Sequence, residues 1–256
     1  MASPLFDLTG KVAVVTGSSK GIGKSIAMHL ALQGARVVVS SRKKPVCEET
    51  AAEIRKAGGE AIVIPCNISD KAQCENLIAE TRRQLGPVDV LVLNAASNPY
   101  YGPTDKMPDE VFTKIMQNNI LSNIWLINLC VPDMRAKKDG SVIIVSSIGG
   151  VRASTVIGAY CISKAADMQL ARNLAAELGP YNIRVNTIAP GLVRTDFARA
   201  LWEDPKYLEK RLETAPLRRI GEPDDIGGIA VMLAGKAGAF ITGQTIIADA
   251  GVTIGS

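Results

Sequence analysis

The sequence predicts an α/β fold in a single domain, with a doubly wound, seven-stranded parallel sheet and helices on both faces. Its 256 residues fit one large α/β domain, a class that runs to about 250 residues without splitting. Short segments rich in Val and Ile alternate with helical segments along the whole chain, and Gly and Pro mark the joints. Because parallel strands need long crossover connections, this alternation indicates a parallel sheet rather than hairpins.

The first strand and helix enclose a glycine-rich turn. Residues 11–15 form an apolar, β-branched run that is typical of a buried parallel strand. After the turn, Ile22, Ile26 and Leu30 recur at helical spacing, and we predict that Gly34 caps this helix. The order strand, glycine turn, helix is the context that a dinucleotide-binding motif requires.

The remaining elements follow the same alternation. Short apolar runs predict further strands at 36–40, 60–65, 88–93, 141–146, 182–188 and 245–248. Helical patterns lie between them at 45–57, 70–84, 109–136, 155–178 and 223–234. Residues 190–222 form one long connection without a regular pattern. Since such connections in compact domains are commonly functional, we predict that it is a substrate lid.

Composition excludes several classes of function. The net charge is only +4 and the Lys and Arg residues are dispersed, so we expect neither a nucleic-acid partner nor a membrane surface. No apolar stretch reaches about 18 residues, and the N-terminus lacks a signal-peptide core, so we expect a cytoplasmic protein. The five cysteines form no CxxC pair, which indicates reduced thiols. His29 is the only histidine, so no catalytic metal site is predicted.

The glycine turn has the sequence TGSSKGIG at residues 16–23. Glycines let the backbone approach a pyrophosphate, and the N-terminus of the following helix offers free N–H groups and a positive dipole end. The spacing is GxxxGxG rather than GxGxxG. We assign cofactor contacts in this turn to Gly17, Ser19, Lys20, Gly21, Ile22 and Gly23.

Tyr160 and Lys164 carry the candidate chemistry, with Ser147 upstream. Residues four apart share one face of a helix, so the phenol and the ammonium can converge. A phenol titrates near pH ~10, and a nearby ammonium lowers that pKa. A tyrosine tuned in this way is a candidate general acid/base for a carbonyl and its alcohol. The hydride would come from a nicotinamide cofactor.

The chain resembles the short-chain dehydrogenase/reductases over essentially its whole length. The matching residues are Thr16-Gly17-x-x-x-Gly21-x-Gly23, Asn94-Ala95-Ala96, Asn119, Ser147, Tyr160-x-x-x-Lys164, Asn186 and Pro190-Gly191-x-x-x-Thr195. The resemblance implies a single-domain Rossmann fold with seven parallel strands, assembled as a homotetramer.

The resemblance also implies roles for individual residues. Tyr160 would donate a proton to the carbonyl oxygen, and Ser147 would hydrogen-bond that oxygen. Lys164 would lower the Tyr160 pKa and bind the nicotinamide ribose, while Asn119 would anchor a water that links Lys164 to solvent. Thr195 would bond the nicotinamide carboxamide. Further cofactor contacts are implied at Asn67, Ile68, Asn94, Ala95, Pro190, Gly191 and Val193.

Two positions depart from the family pattern. Ala96 stands where the family commonly has Gly, so we expect a slightly different backbone near the cofactor. Asn67 precedes Ile68 where the family often has Asp, and both side chains can accept a hydrogen bond from adenine.

The second strand indicates the cofactor. NAD-specific members place an acidic residue at its end to hold the ribose 2′-hydroxyl, and this chain has Ser41 followed by Arg42. No carboxylate repels a 2′-phosphate there, and Arg42 can bind one bidentately. Lys20 adds a second positive charge. We therefore predict NADP.

The substrate predicted from the resemblance is an apolar ketone or aldehyde. The segments 94–102, 201–202 and 218–223 look most like the carbonyl/retinal reductase branch. The expected cleft residues are Tyr100, Ile148, Ala153, Ser154, Ile157, Leu192, Phe197, Leu201 and Trp202. A 3-oxoacyl-[acyl-carrier-protein] reductase is an alternative: it would often have a basic residue where Tyr181 stands, although Lys137 and Lys138 could supply a basic rim. A catalytically silent NADP-binding or redox-sensing protein is another alternative, against which the intact Ser147, Tyr160 and Lys164 argue.

Overall fold

Seven parallel strands form one sheet. The computed structural model describes residues 3–255; residues 1, 2 and 256, part of the termini searched for targeting signals, lie outside it. The strands are β1 (Val12–Thr16), β2 (Arg36–Ser40), β3 (Glu60–Val63), β4 (Val90–Leu93), β5 (Gly140–Val145), β6 (Ile183–Pro190) and β7 (Thr245–Ala248). Their order across the sheet is β3-β2-β1-β4-β5-β6-β7. The predicted seven-stranded, doubly wound parallel sheet is confirmed.

Helices cover both faces of the sheet. They are α1 (Gly21–Leu32), α2 (Lys44–Lys56), α3 (Lys71–Leu85), α4 (Asp109–Met116), α5 (Ser122–Lys137), α6 (Gly158–Leu178), α7 (Arg199–Trp202), α8 (Pro205–Thr214) and α9 (Asp224–Ala234). One buried core contains residues of α1, α2 and α9, and the second contains residues of α3, α5 and α6. Successive strand residues point to opposite faces: Ala13 and Val15 belong to the first core and Val14 to the second. None of the described helices is long and apolar enough to cross a membrane.

The strand order reverses beside β1, which lies between β2 and β4. The chain runs outward from β1 to β3 on one side and from β4 to β7 on the other. At such a point the connecting loops diverge and leave a crevice at the carboxyl ends of the strands, where open α/β sheets bind ligands.

Two of the observed helices differ from the predicted ones, one by an interruption and the other by a later start. The predicted helix over 109–136 is interrupted by a π-helical turn, Gln117–Leu121, which buries Asn118 and Asn119. The predicted helix over 155–178 begins only at Gly158, because Val156 accepts a hydrogen bond of 2.8 Å from the backbone N–H of Gly102 instead.

The connection over 190–222 is more regular than predicted. It contains α7 and α8. The start of α8 is favoured by its capping residue, because the Asp204 carboxylate accepts from two backbone N–H groups, and by Pro205 in the first turn. Asn182, predicted in the sixth strand, instead has φ 57° and ends a 3₁₀ turn, a left-handed conformation that asparagine tolerates.

Candidate active site

A cleft of about 930 Å³ opens at the carboxyl ends of the strands. The glycine turn, the ends of β2 and β4, the start of α6 and the segment after β6 contribute to its lining. Every catalytic and cofactor-binding residue predicted from the sequence lines this cleft except Asn119. The fold therefore brings the candidate proton donor and the candidate cofactor contacts into one cavity.

The glycine turn is packed too closely to accept side chains. Gly17 and Gly21 have φ values of +65° and +56°, which favour glycine. A Cβ on Gly23 would lie 2.4 Å from the carbonyl oxygen of Gly17 and 2.4 Å from Nδ2 of Asn94. The Asn94 amide itself donates to the carbonyls of Thr16 (3.0 Å) and Gly17 (3.1 Å), so it holds the turn in place.

The N-terminus of α1 fits the phosphates of a dinucleotide. No described side chain caps this helix, so its first N–H groups remain available to a ligand in the cleft. Exposed N–H groups and a positive dipole end at a glycine turn make a built-in anion site. The residues present therefore fit a nicotinamide dinucleotide.

Arg42 and Lys20, the two cations predicted to meet a 2′-phosphate, differ in whether they are already paired. Arg42 is exposed, lines the cleft, and its guanidinium makes no hydrogen bond or ion pair with residues 3–255. Lys20 instead pairs through Nζ with Asp196 at 2.8 Å, across to the segment after β6. Ser41 lies with Oγ 3.1 Å from Sγ of Cys47. No acidic side chain stands at the end of β2, and Arg42 lines the cleft there.

The two positions that depart from the family pattern remain compatible with the cleft. Ala96 is absent from the described residues with positive φ, so its backbone lies in a region that alanine adopts readily, and the expected difference in backbone near the cofactor stays a prediction. Asn67 lines the cleft with Ile68, and its Oδ1 accepts from the N–H of Ser69 at 3.3 Å.

Tyr160, Lys164 and Ser147 occupy one side of the cleft. Nζ of Lys164 lies 5.6 Å from the centre of the Tyr160 ring. The ring of Phe197, from the lid segment, lies 6.1 Å from the Tyr160 ring, centre to centre. Ser147 precedes a 3₁₀ turn, where its hydroxyl accepts from the N–H of Gly149 at 3.0 Å. The phenol, the hydroxyl and the ammonium thus share one surface of the cavity.

The electrostatics of Tyr160 differ from the prediction. Burial raises the pKa of its phenol above the ordinary value, although the Lys164 ammonium and the Ser147 hydroxyl act to lower it. Asp167 adds to the increase in this pKa. The expected lowering by Lys164 is present, but desolvation outweighs it, because the sequence does not show how much water the phenol loses.

Lys164 itself is deeply buried. Its Nζ donates to the carbonyl of Val145 and to Oδ2 of Asp167, both at 2.9 Å. Burial acts to lower the pKa of Lys164, but Asp167 and Tyr160 together raise it above the ordinary value. The lysine is therefore held as a cation, which is the form that can donate hydrogen bonds to a ribose.

Asn119 is fully buried in the π-helical turn and does not line the cleft. Its Nδ2 donates to Oγ of Ser163 at 3.0 Å and to the carbonyl of Ser97 at 3.1 Å, while its Oδ1 accepts from the N–H of Ser97 at 2.8 Å. These bonds tie the loop after β4 to α6, and the predicted role of Asn119 in anchoring a water stays a prediction.

Sequence reasoning missed Asp167, which contacts Lys164, and Asn123, which contacts both Asp167 and Asn119. Asp167 stands three residues after Lys164, and Asn123 four residues after Asn119, so helical spacing could have placed them on the same faces. Neither residue belongs to the motifs of the family resemblance. Their contact with one another joins two separate helices and depends on the tertiary structure.

The residues that line the outer cleft differ in part from those predicted. Ile148, Ala153, Ser154, Ile157, Leu192, Phe197 and Leu201 line it as predicted. Tyr100 and Trp202 do not: Tyr100 bonds the carbonyl of Pro103, and the indole N–H of Trp202 donates to the carbonyl of Thr195 at 2.9 Å. The cleft also contains residues that the sequence analysis did not predict, among them Arg152, Val156, Tyr207 and Arg211.

Comparisons with known proteins agree with this geometry. The family model described as enoyl-(acyl carrier protein) reductase matches residues 17–253. Dehydrogenase/reductase SDR family member 4 from Sus scrofa is 40% identical over 244 residues, covering 95% of this chain and 88% of that protein. A gluconate 5-dehydrogenase from Burkholderia cenocepacia J2315, in complex with NADP and tartrate, superposes with a TM-score of 0.94 at 29% identity, covering 99% of each chain.

A 7α-hydroxysteroid dehydrogenase, complexed with NADH and 7-oxo glycochenodeoxycholic acid, has a TM-score of 0.94 at 34% identity and covers 98% of this chain and 97% of its own. The similarities extend over nearly the whole chain in both sequence and fold. This protein therefore belongs to the short-chain dehydrogenase/reductase family of oxidoreductases.

Proposed function

We propose that this protein is an NADP(H)-dependent oxidoreductase that reduces an apolar ketone or aldehyde to an alcohol. The observation that carries the proposal is that Tyr160, Lys164 and Ser147 line the same cleft as the glycine turn and Arg42. When bound, the nicotinamide supplies the hydride. The protein supplies binding, orientation and the proton.

The cofactor would be held by backbone and side-chain groups that keep hydrogen-bond donors free to face the cleft. The uncapped N-terminus of α1 would bind the pyrophosphate, and Arg42 the 2′-phosphate. Lys164 uses two of its three N–H donors within the protein, so one remains for the nicotinamide ribose. Thr195 lines the cleft beside Gly21, and we assign it to the carboxamide.

Tyr160 would donate the proton to the carbonyl oxygen. Because its pKa is raised, the phenol keeps its proton near neutral pH, which suits a donor in the reductive direction. The Ser147 hydroxyl would hold the carbonyl oxygen, and the Lys164 ammonium would stabilise negative charge that develops on the phenol. General acid catalysis of this kind contributes roughly 10²- to 10⁴-fold.

The cleft favours an apolar substrate near the reacting carbonyl. Val156, Ile157, Leu192, Phe197 and Leu201 all line it. Burying apolar surface gains roughly 25 cal/mol per Å², which discriminates between large apolar and small polar carbonyls.

The outer part of the same cleft is mixed in character. Arg152 and Arg211 line it as well, and Nε of Arg211 is buried without a partner among the described residues. A screen of substrates should therefore pair each apolar ketone with an analogue that carries a carboxylate.

We propose that residues 190–222 act as the substrate lid. The Lys20–Asp196 ion pair connects this segment to the glycine turn, and within the segment the Trp202 indole N–H donates to the carbonyl of Thr195. The homotetramer and the cytoplasmic location implied by the sequence analysis stay predictions.

The carrier-protein alternative is weakened by the position of its expected basic rim. Lys137 and Lys138 lie at the end of α5, just before β5, and so at the amino end of the strands, opposite the cleft. Lys137 also forms an ion pair with Asp89. Neither lysine is placed to guide an acidic carrier to the cleft.

An NADPH-oxidation screen tests the proposal. Apolar ketones, aldehydes, their carboxylated analogues and acetoacetyl thioesters are offered with NADPH and with NADH, and Tyr160→Phe is the control. We expect the highest kcat/KM with an apolar ketone or aldehyde and NADPH. A preference for the thioester would favour the carrier-protein reductase. NADPH binding without turnover of any substrate would favour the silent cofactor-binding protein.

A further inference from the structure

The ammonium of Lys164 has a buried carboxylate as its counter-ion. Nζ of Lys164 donates to Oδ2 of Asp167 at 2.9 Å, and the two side chains are 3% and 0% exposed. Both residues lie on α6, three positions apart, so the helix itself sets their separation. This is a second fixed contact of the candidate catalytic lysine, besides the carbonyl of Val145.

The second oxygen of this carboxylate connects to another helix. Nδ2 of Asn123 donates to Oδ1 of Asp167 at 3.1 Å and to the carbonyl oxygen of Asn119 at 2.7 Å. A continuous series of direct contacts therefore runs from Lys164 through Asp167 and Asn123 to the backbone of Asn119. Asn119 and Asp167 are completely buried, and Asn123 is 4% exposed.

Fold stability alone does not call for a charged pair at this place. Replacing a buried ion pair with well-packed apolar residues is often neutral or stabilising, whereas removing one partner leaves a costly buried charge. Lys164 lines the cleft beside Tyr160, so its charge is needed there for the proposed reaction. A carboxylate at Asp167 lets that charge persist away from water.

We propose that Asp167 is a positioning residue, whose carboxylate holds the Lys164 ammonium in place beside Tyr160 and balances its charge, with Asn123 orienting the carboxylate. The inference rests on the proposed role of Tyr160 and Lys164 as the proton-donating pair. Asp167 does not line the cleft, so it acts only through Lys164.

Counting charges gives the expected consequence. With Asp167 ionised, Lys164 protonated and the Tyr160 phenol neutral, the three side chains together carry no net charge. In Asp167→Asn the same group carries one positive charge, so the phenol loses its proton at a lower pH. The resulting phenolate is then the nearest counter-ion for Lys164. Among the described residues, the other titratable group that acts on Tyr160 is Cys161, on the same helix. Asn123 of α5, which contacts the carboxylate, is uncharged, and so is Asn119 of the π-helical turn, which Asn123 contacts in turn.

The test is an ultraviolet titration of tyrosinate in the unliganded protein, with the curve of the Tyr160→Phe protein subtracted to isolate Tyr160. In Asp167→Asn we expect the Tyr160 titration to move to lower pH by about one unit or more, the size of effect that a neighbouring charge produces. We also expect weaker NADPH binding, measured by fluorescence, because a neutral amide holds the Lys164 ammonium less strongly than a carboxylate does.

Two control variants separate charge from packing. Asn123→Ala removes the bond that orients the carboxylate but keeps the negative charge, so the Tyr160 titration should move much less than in Asp167→Asn. Asp89→Asn removes another buried carboxylate, the partner of Lys137, and should not move the titration. An unchanged Tyr160 titration in folded Asp167→Asn, or an equal shift in Asn123→Ala, overturns the proposal.

The measurement does not need a substrate, so it is independent of the reaction assigned above. If no carbonyl is reduced but the shift occurs, the proposed function fails and the role of Asp167 stands. Should Asp167→Asn not fold, Asp167→Ser is measured in its place. If neither variant folds while Asp89→Asn does, Asp167 is a structural requirement and the positioning role is rejected.

Discussion

Removing the Arg42 guanidinium should weaken the use of NADPH and leave the use of NADH unchanged. Arg42 is exposed at the end of β2 and has no partner among residues 3–255, so nothing competes with a 2′-phosphate for it. A charge-assisted hydrogen bond contributes roughly 1.5–3 kcal/mol, which corresponds to about ten- to a hundredfold in kcat/KM. Because the side chain is open to solvent, we expect Arg42→Ala to lie at the lower end, at about tenfold.

Adding Ser41→Asp should move the preference towards NADH. The new carboxylate repels a 2′-phosphate and can accept a hydrogen bond from a 2′-hydroxyl. Lys20 limits how complete the change will be, although its ion pair with Asp196 occupies it in part.

The assay is kcat/KM for NADPH and for NADH at a fixed ketone concentration, at low salt and at about 1 M salt. The effect of Arg42→Ala should shrink at high salt, since the screening length there is about 3 Å. Lys56→Ala, an exposed cation in the last turn of α2, is the matched control and should change neither value. An equal loss with both cofactors in Arg42→Ala, or equal use of the two cofactors by the unaltered protein, would refute the reasoning.

Three further predictions concern the same cleft. Tyr160→Phe should lower kcat by roughly 10²- to 10⁴-fold with little change in the Kd for NADPH, and near-normal turnover would contradict its role as the proton donor. Gly23→Ala should destabilise the fold by about 1–3 kcal/mol and abolish NADPH binding, because the new Cβ meets backbone 2.4 Å away. Gly179→Ala, whose Cβ would meet nothing within 4 Å, is its control in thermal unfolding. Trp202→Phe removes the bond to the Thr195 carbonyl and should speed hydrogen exchange across 190–222 and raise KM for bulky ketones, while NADPH should slow that exchange. Exchange that responds to neither change would leave the segment as scaffold.

Much of the fold could be predicted from local patterns. The apolar β-branched runs and the helical spacing between them are properties of a few neighbouring residues, so the seven strands and the sheet class followed from the sequence. The glycine turn was predictable for the same reason, since only glycine adopts the backbone of Gly17 and Gly21 at low cost. The i, i+4 spacing of Tyr160 and Lys164 likewise needed only a helix.

The details of the candidate site required the tertiary structure. The contact of Asp167 with Asn123 joins α6 to α5, and the pairing of Lys20 with Asp196 spans 176 positions of the chain. No local pattern specifies which helices pack together, so sequence analysis did not find these partners. The orientation of Trp202 was mispredicted because a tryptophan can pack into a cleft or donate its N–H to a backbone carbonyl.

The charge state of the site likewise follows in part from the sequence and in part only from the tertiary structure. The sequence by itself determined that a phenol and an ammonium lie on one helix, and therefore that each influences the titration of the other. Only the tertiary structure decided the net direction, because desolvation and Asp167 act on Tyr160 and together exceed the effect of Lys164. Desolvation depends on every atom that surrounds the phenol, and those atoms come from segments far apart in the chain.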